Sequence, residues 1–131
     1  MIVSVDQWKG KGVYLSRAEQ YSRATEGSFK NKDWDACVGN AIHCAISASD
    51  AFCIHIKAQR YKGTDHREAA EFFSRAVLGE DHKKSSDRLF ALIRIKTDAE
   101  YGDRSFNEKD AIQAKLNAER FISYVKAFLA K

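Results

Sequence analysis

Not one proline occurs in the 131 residues of this chain, where average usage gives roughly six or seven. Proline removes a backbone donor and clashes with the preceding turn, so it interrupts helices wherever it falls inside one. Its absence, with few β-branched runs, predicts long uninterrupted helices. The length suits one domain spanning residues 1–131, and such a domain hides roughly two thirds of its unfolded surface without disulfides or metals. Hydrophobic residues make up 44% and charged residues 31%, a globular profile and not a disordered one. No apolar run approaches the ~20 residues of a membrane span, and no signal-peptide pattern opens the chain. The expectation is a cytoplasmic protein with no membrane attachment.

Hydrophobic period and punctuation mark five helices after an N-terminal lead, residues 1–12. The first covers residues 13–29, with Tyr14, Ala18, Tyr21 and Thr25 on one face. An Asn31-Lys32-Asp33 turn, with Asp33 as cap, leads to the second, residues 33–61. The third runs over 66–78, its stripe being Ala69, Phe72, Phe73, Ala76 and Val77, opened by an Asp65/Glu68 capping box and stopped by Gly79. The fourth covers 84–101, carrying Leu89, Phe90, Leu92 and Ile93, and ends at Gly102. A Ser105/Glu108 capping box opens the fifth, 106–130, striped by Ala111, Ala114, Ala118, Phe121, Val125 and Leu129.

The second helix decides the architecture. Cys37, Ala41, Cys44, Ala48, Ala51 and His55 form a stripe of mostly small residues, while Val38, Ile42, Ala45, Cys53 and Ile56 make a second apolar face. A helix apolar on two faces belongs in the middle of a bundle. The fold expected is all-α, a five-helix up-and-down antiparallel bundle built around the second and fifth helices. Ile112 and Leu116 lie off the fifth helix's stripe and face either a second subunit or a second core contact. Cys37, Cys44 and Cys53 all fall in the second helix, where two turns of rise separate the first two by roughly 10 Å. That is too far for a bridge, and an odd count without CxxC suits buried thiols in a reducing compartment.

Charge is uneven along the chain. Residues 57–96 carry ten basic side chains against six acidic ones, and the rest of the sequence balances. Such a band attracts phosphate, although four excess charges are also what the helix ends of a mildly basic protein carry. His43, Ser47 and Asp50 recur at helical spacing and form a polar stripe. One helix strings these groups along its axis, whereas a nucleophilic triad needs mutual hydrogen-bond geometry. The stripe therefore reads as a bundle-end or dimer contact, with Asp50 bonded to a neighbouring helix and Arg94 as a plausible partner. His43, His55, His66 and His82 hold no metal-ligand spacing and no HExxH, so no metal is expected, and His55 reads as a core histidine. There is no glycine-rich phosphate loop, and no cofactor is expected.

The order of several motifs carries a resemblance. Tyr14-Leu15-Ser16-Arg17-Ala18-Glu19 opens the first helix, and Lys32-Asp33-Trp34-Asp35-Ala36 leads into an alanine-rich second one. Gly63-Thr64-Asp65-His66 links the second and third helices. Arg94-Ile95-Lys96-Thr97-Asp98-Ala99-Glu100-Tyr101 follows, and then Ala118-Glu119-Arg120-Phe121. Together, over residues 13–130, these resemble the HEPN superfamily, in particular its small stand-alone prokaryotic members.

The resemblance implies a helical bundle that commonly forms a homodimer. Many such domains are metal-independent ribonucleases of toxin–antitoxin or defence systems, and others bind or assemble without catalysis. The nuclease motif implies an Arg that holds phosphate and a His that moves a proton. Laid on this chain, the Arg falls on Arg94 and the following tyrosine on Tyr101, but the His position is Ala99 and Ile95 stands where a polar residue is usual. Alanine transfers no proton, and losing an acid–base group typically costs ~10²–10⁴ in rate. Arg60 and His66 form a second Arg…His pair across the turn after the second helix, with Arg60 at that helix's C-terminus. The leading expectation is a non-catalytic binding or assembly protein recognising RNA, a nucleotide or a protein partner through Arg60, Lys62, Asp65, His66, Arg94 and Tyr101. A divergent ribonuclease using Arg60 and His66, and a purely structural subunit, are the alternatives.

Overall fold

The computed structural model describes residues 1–101, 103 and 105–131, with the backbone alone at 98–101. Its elements in chain order are β1 (Ile2–Ser4), α1 (Gln7–Lys30), α2 (Trp34–Lys57), β2 (Gln59–Tyr61), α3 (His66–Ser74), α4 (Glu80–Tyr101) and α5 (Glu108–Leu129). The fold is the expected all-α bundle of five helices, with one two-stranded sheet added.

Residues 1–12 do more than lead into the bundle. Ile2, Val3 and Ser4 pair antiparallel with Tyr61, Arg60 and Gln59, and Asp6 caps α1 by accepting from the Lys9 backbone N–H at 2.9 Å. α1 thus starts six residues before the sequence suggests. Gly10 reads as a helix breaker, yet it sits inside α1 because a Cβ there would collide with Val5 Cγ1 and crowd Ile54. The first turns of α1 approach β1 and α2 closely only at a residue without a side chain.

α2 ends at Lys57 and not at residue 61. Ala58 adopts a left-handed conformation, φ 52°, and its N–H returns to the Ile54 carbonyl at 2.8 Å. Alanine carries no stop signal, so the sequence alone reads the helix onward. At the other end Asp33 is the N-cap residue, but its side chain makes no capping hydrogen bond. α3 stops at Ser74, four residues early, and α4 begins at Glu80, just past Gly79 with φ 129°. In α3 it is Ala70, not Ala69, that is fully buried with Phe73. α5 is opened by a reciprocal capping box of Asn107 and Asp110, not by Ser105 and Glu108. Gly102, read as the end of α4, lies outside the described residues.

The core forms on α2, which packs against all four other helices and β2. Cys37, Ala41, Cys44, Ala45, Ala48 and Ala51 are fully buried there, so their small side chains admit close helix neighbours. Below them sits an aromatic cluster: the Phe52 ring lies 4.9 Å from Phe73, 5.1 Å from His82 and 4.7 Å from Phe128. α2 is long and apolar enough to cross a membrane by length and mean hydropathy, but 67% of that stretch is buried inside the bundle. Its apolar faces are the faces the other helices cover. The three cysteines are separate buried thiols, and burial pushes Cys44 and Cys53 up to about 12.

Candidate functional site

Two groups of polar side chains stand out. The first lies where α1, α2 and β2 meet. Arg17 on α1 and Arg60 on β2 both place their guanidinium carbons over the ring of Tyr14, at 4.9 and 5.0 Å from its centroid. The Arg60 side chain also donates to the Tyr61 carbonyl at 3.1 Å. Arg60 therefore belongs to a strand and packs onto α1, and is not a cation at a helix C-terminus. Asp50 on α2, 9% exposed, is within the electrostatic reach of both arginines. Burial drives its carboxyl from 3.8 up to about 7, against the opposing pull of Arg60 and Arg17. Asp50 forms no hydrogen bond or ion pair among the described residues, and the cations facing it are Arg60 and Arg17, not Arg94.

The rest of the polar stripe divides. Ser47 is buried, one turn before Asp50, while His43 is exposed and stacks on Tyr21 of α1 at 5.2 Å. Partial burial lowers the His43 pKa, and Lys96 of α4 lowers it further. His43 and Ser47 differ in exposure although both lie on α2 with Asp50. The histidine of the core is His82, 3% exposed, and not His55, which is half-buried beside Lys11. His82 Nε2 donates to the Phe73 carbonyl at 2.8 Å, which leaves Nδ1 to accept from the Tyr124 hydroxyl at 2.8 Å. Burial accordingly lowers its pKa. A buried polar group keeps its place when both ring nitrogens are satisfied, and the Tyr124 partner, 42 residues away, leaves no trace in local sequence.

The second group lies on the α3–α4 flank. Arg67 and Glu71 of α3 and Phe90, Ile93, Arg94 and Thr97 of α4 line a cleft of about 470 Å³. Arg94 is exposed, Ile93 is 6% exposed at the floor, and Arg67 Nε lies 3.5 Å from Glu71 Oε1. The cleft combines the apolar Phe90 and Ile93 with two arginines and one carboxylate, Glu71, and its volume is that of a small-ligand site, roughly 300–1,000 Å³. Of the candidates read from sequence, Arg94 lines this cleft, while Arg60 lies against Tyr14. His66 begins α3, Asp65 caps it by accepting from the N–H groups of Arg67 and Glu68, and Lys62 is exposed in the preceding turn. Of the basic residues singled out as binding candidates, only Arg94 lines the cleft. The side chains of Asp98, Ala99 and Tyr101 lie outside the described residues. Arg67 and Arg17 were not singled out as site residues in sequence; their only signal there is charge on helix faces. Among the described residues no three His, Cys, Asp or Glu side chains converge as metal ligands would.

With this geometry in view, comparison with known proteins adds one finding. A family model described as the HEPN domain matches residues 12–128. No curated protein and no solved structure matches the chain.

Proposed function

This chain belongs to the HEPN domain family, which is nucleotide- and RNA-related, and on that premise we propose that it is a non-catalytic binding protein. The observation that carries the reading is the α3–α4 cleft, which Arg94 and Arg67 line together with Phe90 and Ile93. Guanidinium groups bind phosphate in a planar, bidentate manner, and an aromatic floor supports a base by stacking. Arg94 is the residue that falls at the family's phosphate-holding position, while Ala99 supplies no acid or base. RNA or a nucleotide is the ligand class this cleft suits. A reducing, cytoplasmic setting goes with the three separate thiols.

The test is titration of a short single-stranded RNA in chelator-containing buffer. Binding should weaken with salt with a log–log slope of roughly −1.5 to −3, at about 0.7 per phosphate contact. Arg94→Gln and Arg67→Gln should each weaken it about tenfold, close to the strength of one charge-assisted contact. The RNA should remain intact. Cleavage that disappears in both Arg60→Ala and His66→Ala would establish the ribonuclease instead. No binding at low salt would leave the purely structural subunit.

We also propose that the protein works as a homodimer. Ile112 is 44% exposed on α5 and Leu116 is half-buried beside it, more apolar surface than that helix face needs in a monomer. Sedimentation should give a dimer at micromolar concentration, and Ile112→Glu should shift it to monomer. A wild-type monomer at hundreds of micromolar rules this out.

A further inference from the structure

Phosphate binding does not account for every group in the α3–α4 cleft. Glu71 lines it alongside Arg67 and Arg94, and a carboxylate repels a phosphate. Glu71 Oε1 lies 3.5 Å from Arg67 Nε, one turn earlier on α3, with the two side chains 42% and 77% exposed. A single contact between side chains this exposed adds little to stability. Both groups keep hydrogen-bonding capacity beyond it, the arginine in its other N–H donors and the carboxylate in its remaining lone pairs. The pair therefore sets a donor beside two acceptor oxygens in the lining of one cleft.

The other polar groups limit what that pair can meet. Thr97 Oγ1 donates to the Ile93 carbonyl at 3.2 Å, so its hydrogen is committed and it offers lone pairs only. Arg94 has donors only. Among the described residues, every side-chain donor left for a ligand in this cleft is thus a guanidinium, and the acceptors are Glu71 and Thr97. Such a lining suits a planar ring with adjacent N–H donors, joined to a phosphate.

We propose that this cleft selects guanine, with Glu71 as the specificity-determining residue. The inference rests on the reading of the cleft as a nucleotide or RNA site and adds the identity of the base. Guanine's Watson–Crick edge, the edge read in unpaired bases, runs acceptor, donor, donor: O6, N1–H and the 2-amino group. The two Glu71 oxygens accept from N1–H and the 2-amino group, Arg67 donates to O6, and Arg94 remains for phosphate. Phe90 gives the base a surface to stack on. Adenine and cytosine each offer one amino group on that edge, and uracil offers one N–H between two carbonyls. Each of the three leaves a carboxylate oxygen without a donor. Guanine gains one further hydrogen bond to a charged group, a preference of about tenfold.

The wild-type protein tests this through the ligand. Calorimetric titration with the 5′-monophosphates of guanosine, inosine, adenosine, cytidine and uridine should rank guanosine first by about tenfold. Inosine monophosphate differs from guanosine monophosphate only in lacking the 2-amino group, so its loss isolates one Glu71 contact. Glu71→Gln keeps the side chain's size and exchanges one acceptor for a donor. In that variant the guanosine-to-inosine affinity ratio should fall to about one, and the guanosine-to-adenosine ratio should drop about tenfold. Ratios are the readout because removing a negative charge strengthens every phosphate ligand alike. Arg94→Gln should weaken all the monophosphates together and leave the ratios unchanged. Helical circular dichroism checks that each variant is folded. Oligoadenylate with and without one central guanine separates the sources of the base: a gain of about tenfold assigns guanine within RNA, and a preference confined to mononucleotides assigns the free nucleotide. Equal affinity for all the monophosphates overturns guanine selection and leaves the cleft a nucleotide site. A guanosine preference that survives in Glu71→Gln overturns it as well. Absence of binding by every ligand removes both readings.

Discussion

Phe52→Ala is expected to destabilise the protein by about 3–5 kcal/mol, the usual range for removing a fully buried phenyl ring. Phe52 is 0% exposed, and its ring meets Phe73, His82, Tyr124 and Phe128, which come from three other helices. The cavity cannot close by one helix sliding inward, because the small residues further along α2 already hold α1 and α5 at close range. The loss acts on a total of only about 5–15 kcal/mol. At about 4 °C per kcal/mol for a chain of this size, the melting temperature should fall by about 12–20 °C. Leu78→Ala is the control: Leu78 is 98% exposed, and its replacement should stay within about 0.5 kcal/mol. Thermal and urea unfolding of the two variants checks both. A Phe52→Ala loss below about 1 kcal/mol would mean the aromatic cluster is not the joint between α2, α3, α4 and α5.

Asp50→Asn should stabilise the protein above neutrality. The Asp50 carboxyl rises from 3.8 to about 7 on folding, so the folded state binds more protons than the unfolded state between those values. Its titration adds no cost below the unfolded pKa, where both states are protonated. The cost then grows as pH rises through the window and is complete above about 7. At about 1.4 kcal/mol per pH unit the full penalty approaches about 4 kcal/mol. An asparagine without partners costs about as much to bury as the neutral carboxyl does. The expected net gain near pH 8 therefore approaches the ionisation penalty, up to about 4 kcal/mol, and shrinks to near zero at acid pH. Urea unfolding at several pH values checks it: the wild-type-minus-variant difference should slope between pH 4 and 7. A flat difference would mean that Asp50 is solvated.

The helices were legible because their signals are local. A proline-free chain with stripes at the 3.6 period and an Asp65 cap contains, within any ten or twenty residues, the information that selects helix over strand. The apolarity of α2 on two faces likewise announced a central position, since a helix must cover what water rejects. Arg94 was legible as a candidate through spacing alone. Helix ends were less so where the stop is an alanine in the left-handed conformation, as at Ala58, or a turn whose capping residue has competitors nearby, as with Asn107 beside Ser105.

What the sequence could not specify is every feature made by residues far apart in the chain. β1 and β2 are three residues each, and neither has meaning without its partner more than fifty positions away. Their pairing carries Arg60 off the α2 axis and onto Tyr14, which separates it from the α3–α4 flank where charge counting had grouped it. The same holds for His82, made a core residue by Phe73 and Tyr124, and for Arg67, brought opposite Arg94 by the packing of α3 on α4. Periodicity and capping are properties of a backbone segment and its own side chains, so the sequence determined the helices and the bundle. Charge clusters, buried pairs and clefts depend on which faces meet, and that is set by the summed burial of the whole core. Only the tertiary structure could decide that Asp50 lies within the electrostatic reach of Arg17 and Arg60, and not in a pair with Arg94.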